Sequence, residues 1–161
     1  MSRLFATLFG VGLITPAPGT WGSIAALPLF WVLHVLIGPW GAVVAIAVVT
    51  GLGWWATAVA TRGQADHDPG EIVIDEVVGQ WIALLPVSFG AAHVGANVLD
   101  LWPGWLAALI LFRLFDILKP GPVGWADRMG DALGVMLDDV IAGVLAAIGV
   151  VALAALAHGV M

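Results

Sequence analysis

The chain has 161 residues, only 10% of them charged, and a mean hydropathy of +1.06, whereas a soluble domain carries roughly a quarter charged residues. It reads as a membrane protein forming one domain over residues 1–161, since no linker-like tract divides it. The formal charge of −6, with five Lys and Arg in all, excludes nucleic-acid binding, and the absence of cysteine excludes disulfides, thiolate metal sites and cysteine nucleophiles.

The N-terminal "MSRLFATLFGVGLI" has one Arg and a short apolar run but no following A-x-A cleavage site, so it is expected to stay as a short helix or interfacial segment. "PAPGTWGS" follows, with Gly19, Thr20, Gly22 and Ser23 at the start of a hydrophobic stretch. The run suits a turn with a Thr or Ser N-cap. The sharper alternative is a nest of backbone N–H groups for an anion at a helix N-terminus, which makes Thr20 and Ser23 substrate-binding candidates.

Hydrophobic stretches cover residues 22–37, 41–60, 72–89, 104–118 and 140–157. A crossing takes about 20 apolar residues, so the second, third and fifth are full spans and the first and fourth are short or re-entrant. Pro28 is expected to kink the first. "IGPWG" breaks the chain between the first two and pairs them as a hairpin. The expected fold is all-α: a polytopic helical membrane protein of about four to five hydrophobic helices.

If all five stretches cross, every basic residue, Arg3, Arg62, Arg113, Lys119 and Arg128, falls on or beside one side, the cytoplasmic side by the positive-inside rule. All acids except Asp100 share it. "RGQADHDPGEIVIDE" supplies Asp66, His67, Asp68, Glu71, Asp75 and Glu76, "FRLFDILKPGPVGWADR" supplies Asp116 and Asp127, and "GDALGVMLDDVIAG" supplies Asp138 and Asp139.

Single acids at helix starts are ordinary caps. The adjacent pairs Asp75-Glu76 and Asp138-Asp139 are not, because neighbouring helical residues point about 100° apart and one of each pair must face protein or a wet cleft. Ionisable groups at membrane depth mark function, and an oxygen-rich set of this kind suits Mg²⁺. Arg113 and Asp116, three apart, make either a simple ion pair or a phosphate grip beside an acid. Lys119 snorkels to headgroups or stabilises a phosphoryl group. Arg128 is a loop charge or a second phosphate contact. His67 is a metal or proton-transfer candidate or merely solvated; His34, His93 and His158 fall on the other side and are given no role.

The chain lacks Cys-x5-Arg, Asp-x-Asp-x-Thr and Gly-x4-Gly-Lys-Ser/Thr loops. "GVMLD" echoes the close of the CDP-alcohol phosphotransferase motif, but the opening D-x2-D-G-x2-A-R is missing. A cation-conducting protein would spread its acids through the membrane depth rather than gather them at one edge.

"PGTWGS", "HDPGEIVIDEVVGQWIAL", "FRLFDILKPGPVGWADR" and "GVMLDDVIAGV" together resemble, in order, the motifs of the phosphatidylglycerophosphatase A family, from about Gly10 to Val144. The resemblance implies a Mg²⁺-dependent phosphatase of the bacterial inner membrane that converts phosphatidylglycerophosphate to phosphatidylglycerol and phosphate among membrane lipids, with its site on the cytoplasmic face and no particular oligomeric state. It implies Asp75, Glu76, Asp138 and Asp139 around the metal, with Asp68 near by. Arg113, Asp116, Lys119, Asp127 and Arg128 match the family's Arg/Asp/Lys loop. Within that set Asp116 is the candidate base or nucleophile, Lys119 a catalytic cation, and Arg113 and Arg128 phosphate contacts. Direct attack by water and an aspartyl-phosphate route are both compatible with these residues.

Overall fold

The computed structural model describes residues 1–63 and 69–159, with side chains through residue 157. All regular structure there is helical: α1 (Ser2–Ala6), a 3-10 turn (Val11–Leu13), α2 (Pro18–Ala60), α3 (Ile74–Val94), a second 3-10 turn (Val98–Leu101), α4 (Trp102–Leu118), α5 (Pro122–Asp127) and α6 (Ala132–Gly159). Four of these helical stretches are long and apolar enough to cross a membrane.

At 1.5 Å per residue a straight α2 would run about 65 Å, twice the hydrocarbon thickness. It does not run straight. Gly38 leaves the helical region at φ 68°, ψ −176°, a conformation open essentially to glycine alone, and Pro39 follows it. Contacts on either side of this break show the chain folding back. Going up the first half, Gly22 packs on Val73, Trp81 Nε1 donates to the Ala26 carbonyl at 3.0 Å, His34 Nδ1 lies 2.7 Å from Ser88 Oγ, and the Trp40 ring meets Phe89 edge-on at 5.1 Å. The second half returns, bringing Gly53 against Ile74 and Met136. The expected hairpin is therefore present, and the first stretch is a full-length helix because Pro18, pre-set for a first helical position, starts it four residues earlier than hydropathy suggested. Pro28 causes no departure from helical dihedrals; Gly38 is the one break.

α3 is the central helix, packed against α2, α4 and α6, and the most buried of the spans. Its crossings depend on bare α-carbons. A Cβ on Gly79 would overlap the Phe112 ring of α4 and stand 2.6 Å from the Asp139 carbonyl of α6, and a Cβ on Gly143 would overlap the Gly79 backbone. At the far end Gly104 seats against Val87, with 3.0 Å between a Cβ there and Val87 Cγ2. Without a hydrophobic drive between helices in lipid, small residues that let backbones approach are what hold spans together.

α6 starts at residue 132 rather than 140, because Asp131 caps it: its Oδ1 accepts the Gly134 N–H at 2.8 Å. Asp138 and Asp139 thus lie inside the helix, two turns from its start, and face inward.

Candidate active site

The start of α3, the end of α4 and the second turn of α6 meet at one end of the bundle. One carboxylate oxygen from each of Asp75, Glu76 and Asp139 lies within 4.8 Å of the others. Asp75 and Asp139 are buried and Glu76 nearly so. Asp75 Oδ1 accepts the Glu76 N–H at 3.0 Å, and Asp138 Oδ1 accepts the Asp139 N–H at 2.9 Å. These backbone bonds fix one oxygen of each aspartate.

Asp138 turns away from the trio. Its Oδ2 accepts from Lys119 Nζ at 2.9 Å, and the same ammonium also bonds Asp127. Lys119 takes this position by ending α4 in the left-handed region, at φ 45°, ψ 54°. Partial burial works against its charge, but the hydrogen bonds it donates to Asp127 and Asp138 outweigh that and hold its pKa above the ordinary lysine value. It is therefore a permanent cation across physiological pH.

Arg113 and Asp116, a turn earlier on α4, complete the inner wall. Arg113 Nη1 is 2.5 Å from Asp116 Oδ2 and 4.0 Å from Glu76 Oε1. The contact is one of charge rather than of aligned hydrogen bonds, because Arg113 Nε and Nη1 are both buried with no acceptor in line. Asp116 acts electrostatically on Glu76, Asp138 and Asp139, so it borders the trio without belonging to it. α2 supplies the roof: a Cβ on Gly19 would overlap the Glu76 carboxylate and stand 3.1 Å from Arg113 Nη1.

Six carboxylates, Asp75, Glu76, Asp116, Asp127, Asp138 and Asp139, thus gather about two cations, Arg113 and Lys119, and Glu76 Oε2 and Asp139 Oδ1 are buried without a hydrogen-bond partner. Buried anions need a counter-charge, and orphaned oxygens need a ligand. A divalent cation satisfies both demands with hard oxygen donors, so the residues present fit one.

Of the expected site residues, Asp75, Glu76, Asp116 and Asp139 come together with Arg113, and Asp138 joins through Lys119. Ser23 is fully buried with its hydroxyl donated to the Gly19 carbonyl at 2.9 Å, inside its own helix; Thr20 lies beside Gly19 in the same first turn. Arg128 ends α5, exposed, with its guanidinium near Gly124. Asp68 and His67 lie outside the described residues. Sequence reasoning did not select Gly19, whose lack of a side chain admits Glu76, nor Asp127 as the anchor of Lys119. Lys-Pro-Gly-Pro, a turn between α4 and α5, with α5 packed on α6, is the signal that could have found the second.

The family model described as "Phosphatidylglycerophosphatase A" matches residues 4–154. The chain is 40% identical over 152 residues to the phosphatidylglycerophosphatase A of Haemophilus influenzae, covering 94% of this chain and 87% of that one. It is 35% identical over 148 residues to the protein of the same name from Escherichia coli, covering 90% and 78%. A Bacteroides thetaiotaomicron protein provisionally named phosphatidylinositol-3-phosphatase is 36% identical over 147 residues, covering 88% and 86%. No solved structure gives a significant match. These matches favour a phosphatase over the CDP-alcohol phosphotransferase and the cation conductor. With nearly the whole length matched, and the acids of its motifs meeting at one end of the bundle, the chain belongs to the phosphatidylglycerophosphatase A family.

Proposed function

We propose that the chain is a membrane-embedded phosphatase that hydrolyses phosphatidylglycerophosphate to phosphatidylglycerol and inorganic phosphate, with Mg²⁺ as cofactor, at the cytoplasmic face of a bacterial inner membrane. The observation that carries the reading is the carboxylate group of Asp75, Glu76 and Asp139, with two buried oxygens left without partners. The two relatives named phosphatidylglycerophosphatase A support the substrate.

A lipid phosphomonoester keeps its acyl chains in the bilayer and its phosphate at the boundary, so the reacting groups must stand at that depth. Asp75, Glu76 and Asp139 would hold the cation, with Asp138 as the further acid beside it. When bound, a divalent cation supplies positive charge against phosphate oxygens and acidity to water.

The protein's own side chains do the rest. Arg113, whose Nε and Nη1 have no hydrogen-bond acceptor in line, grips the phosphate. Lys119 offsets charge on the phosphoryl oxygens and keeps Asp138 turned to itself. Asp116, at the border of the trio, takes the proton from the attacking water, and a proton returns to the glycerol oxygen as its bond to phosphorus breaks, releasing the alcohol and inorganic phosphate. Thr20 and the first turn of α2 lie over the anion, and Arg128 meets the headgroup from the exposed side.

The test is a panel in detergent micelles: phosphate release from phosphatidylglycerophosphate, a phosphatidylinositol 3-phosphate, phosphatidic acid and glycerol 3-phosphate, with Mg²⁺ or with chelator. Phosphatidylglycerophosphate is expected to turn over fastest and only with Mg²⁺. Preference for the inositol lipid would reassign the substrate, and undiminished turnover after chelation would remove the cation.

A further inference from the structure

The N-terminal segment, outside every residue with a proposed chemical role, is latched to Glu71 and Val73, just ahead of Asp75 and Glu76. Val73, the N-cap residue of α3, is fully buried. Its N–H donates to the Ala6 carbonyl of α1 at 2.9 Å. Gly12, in the first 3-10 turn, lies under Glu71 and Val73: a Cβ there would overlap the Glu71 carbonyl and stand 3.2 Å from Val73 Cγ1. Gly22 closes the other side, where a Cβ would come within 2.8 Å of Val73 Cβ. Gly12 is itself held, its N–H donating to the Thr7 carbonyl at 3.0 Å.

Val73 is therefore a pin in a socket built by Ala6, Gly12 and Gly22. Because adjacent helical residues point about 100° apart, the setting of this pin decides where Asp75 and Glu76 aim, two and three residues on. Both must reach Asp139, on a different helix, to bring three oxygens within 4.8 Å. Asp75 and Glu76 have a short lever from the pin, whereas Asp139 is carried by a separate helix.

We propose that Val73, Gly12 and Gly22 are positioning residues: the N-terminal segment sets the first turn of α3 so that its two carboxylates meet the third. The inference rests on the reading that these carboxylates hold the cation. A strained socket rotates the turn and opens the group, and the loss appears first in cation affinity. Supporting residues of this kind typically change metal affinity by about 10–100-fold.

The test uses the full chain in detergent, with Mg²⁺ alone and no substrate. The rise in melting temperature is titrated with Mg²⁺ for the parent, Gly12→Ala, Val73→Ala, Arg3→Ala and Asp139→Asn, and the Mg²⁺ dependence of hydrolysis is measured beside it. Gly12→Ala is expected to need about tenfold more Mg²⁺ for half its effect in both measurements. Val73→Ala, which keeps the bond to Ala6 and loses two methyl groups, shifts the same way by less, and it decides the matter even where Gly12→Ala does not fold. Arg3→Ala, which removes only the exposed pair with Glu71, leaves the midpoint unchanged. Parental midpoints in both socket variants, with the response abolished in Asp139→Asn, would overturn the socket and leave the cation site standing. A full Mg²⁺ response in Asp139→Asn would overturn the cation site itself.

Discussion

Lys119 bonds an exposed aspartate and a buried one with the same ammonium, and the two bonds are not equal in consequence. Asp127 is open to water, which screens its charge. Asp138 is 8% exposed and has no other cation within ion-pair distance among the described residues. A hydrogen bond between charged groups is worth about 1.5–3 kcal/mol, and breaking it from the lysine side leaves a buried anion uncompensated. Lys119→Met is therefore expected to lower stability by about 2 kcal/mol and hydrolysis by more than tenfold, whereas Asp127→Asn keeps stability near the parent and slows hydrolysis a few-fold. Melting curves and initial rates in the same detergent check both. Equal effects would mean that Lys119 acts through Asp127 rather than Asp138. At this scale the acidic pairs were legible in the sequence because their adjacency defeats the capping explanation. The split of the acids into a trio and a lysine-bound partner was not, since it depends on Lys119 entering the left-handed region after α4.

The helices show why a span and its functional end are read with different ease. Hydrophobic length located the middle of every span, because bilayer thickness leaves little choice, but it set the first and fourth too short: helical structure runs from Pro18 in the one and over Val98–Leu118 in the other. The ends follow local chemistry instead. Pro18 begins α2 and Asp131 caps α6, so the helix carrying Asp138 and Asp139 starts at 132 and holds them two turns in. Crossing geometry was also hidden: one glycine among 21 does not announce that it lies between two other helices. Gly79 does, with α4 and α6 both against its α-carbon and the Asp139 backbone 2.6 Å from where a Cβ would stand. Since backbone cannot yield as a flexible side chain can, Gly79→Ala is expected to cost about 1–3 kcal/mol. It should also push α6 outward beside Asp139, so that activity at low Mg²⁺ falls further than activity at saturating Mg²⁺. Gly90, with open space around it, provides the control, and Gly90→Ala should leave both unchanged.

The whole molecule places chemistry at one end and connections at the other. The reversal at Gly38 gives five crossing segments from four long helical stretches. Residues 1–17, the end of α2, the start of α3 and the α4–α6 connection then share the end that carries the site, while residues 38–40 and 95–101 share the opposite end. All five cations belong to the first end, and the proposed cytoplasmic position of the site rests on the positive-inside rule. A substrate made and used on that face would reach the site without crossing the bilayer. The absence of cysteine makes a direct test clean, because any introduced thiol is the only one present. Met129→Cys, between α5 and α6, and Asp100→Cys, in the turn before α4, replace exposed residues at opposite ends. With a membrane-impermeant maleimide applied to cells whose outer membrane has been opened, Asp100→Cys should label at once and Met129→Cys only after the inner membrane is broken. The reverse pattern would put the phosphate site on the outer face and would require the substrate's phosphate to be exposed there. Equal labelling of both would mean that α4, the one long helix between the two positions, does not cross the bilayer.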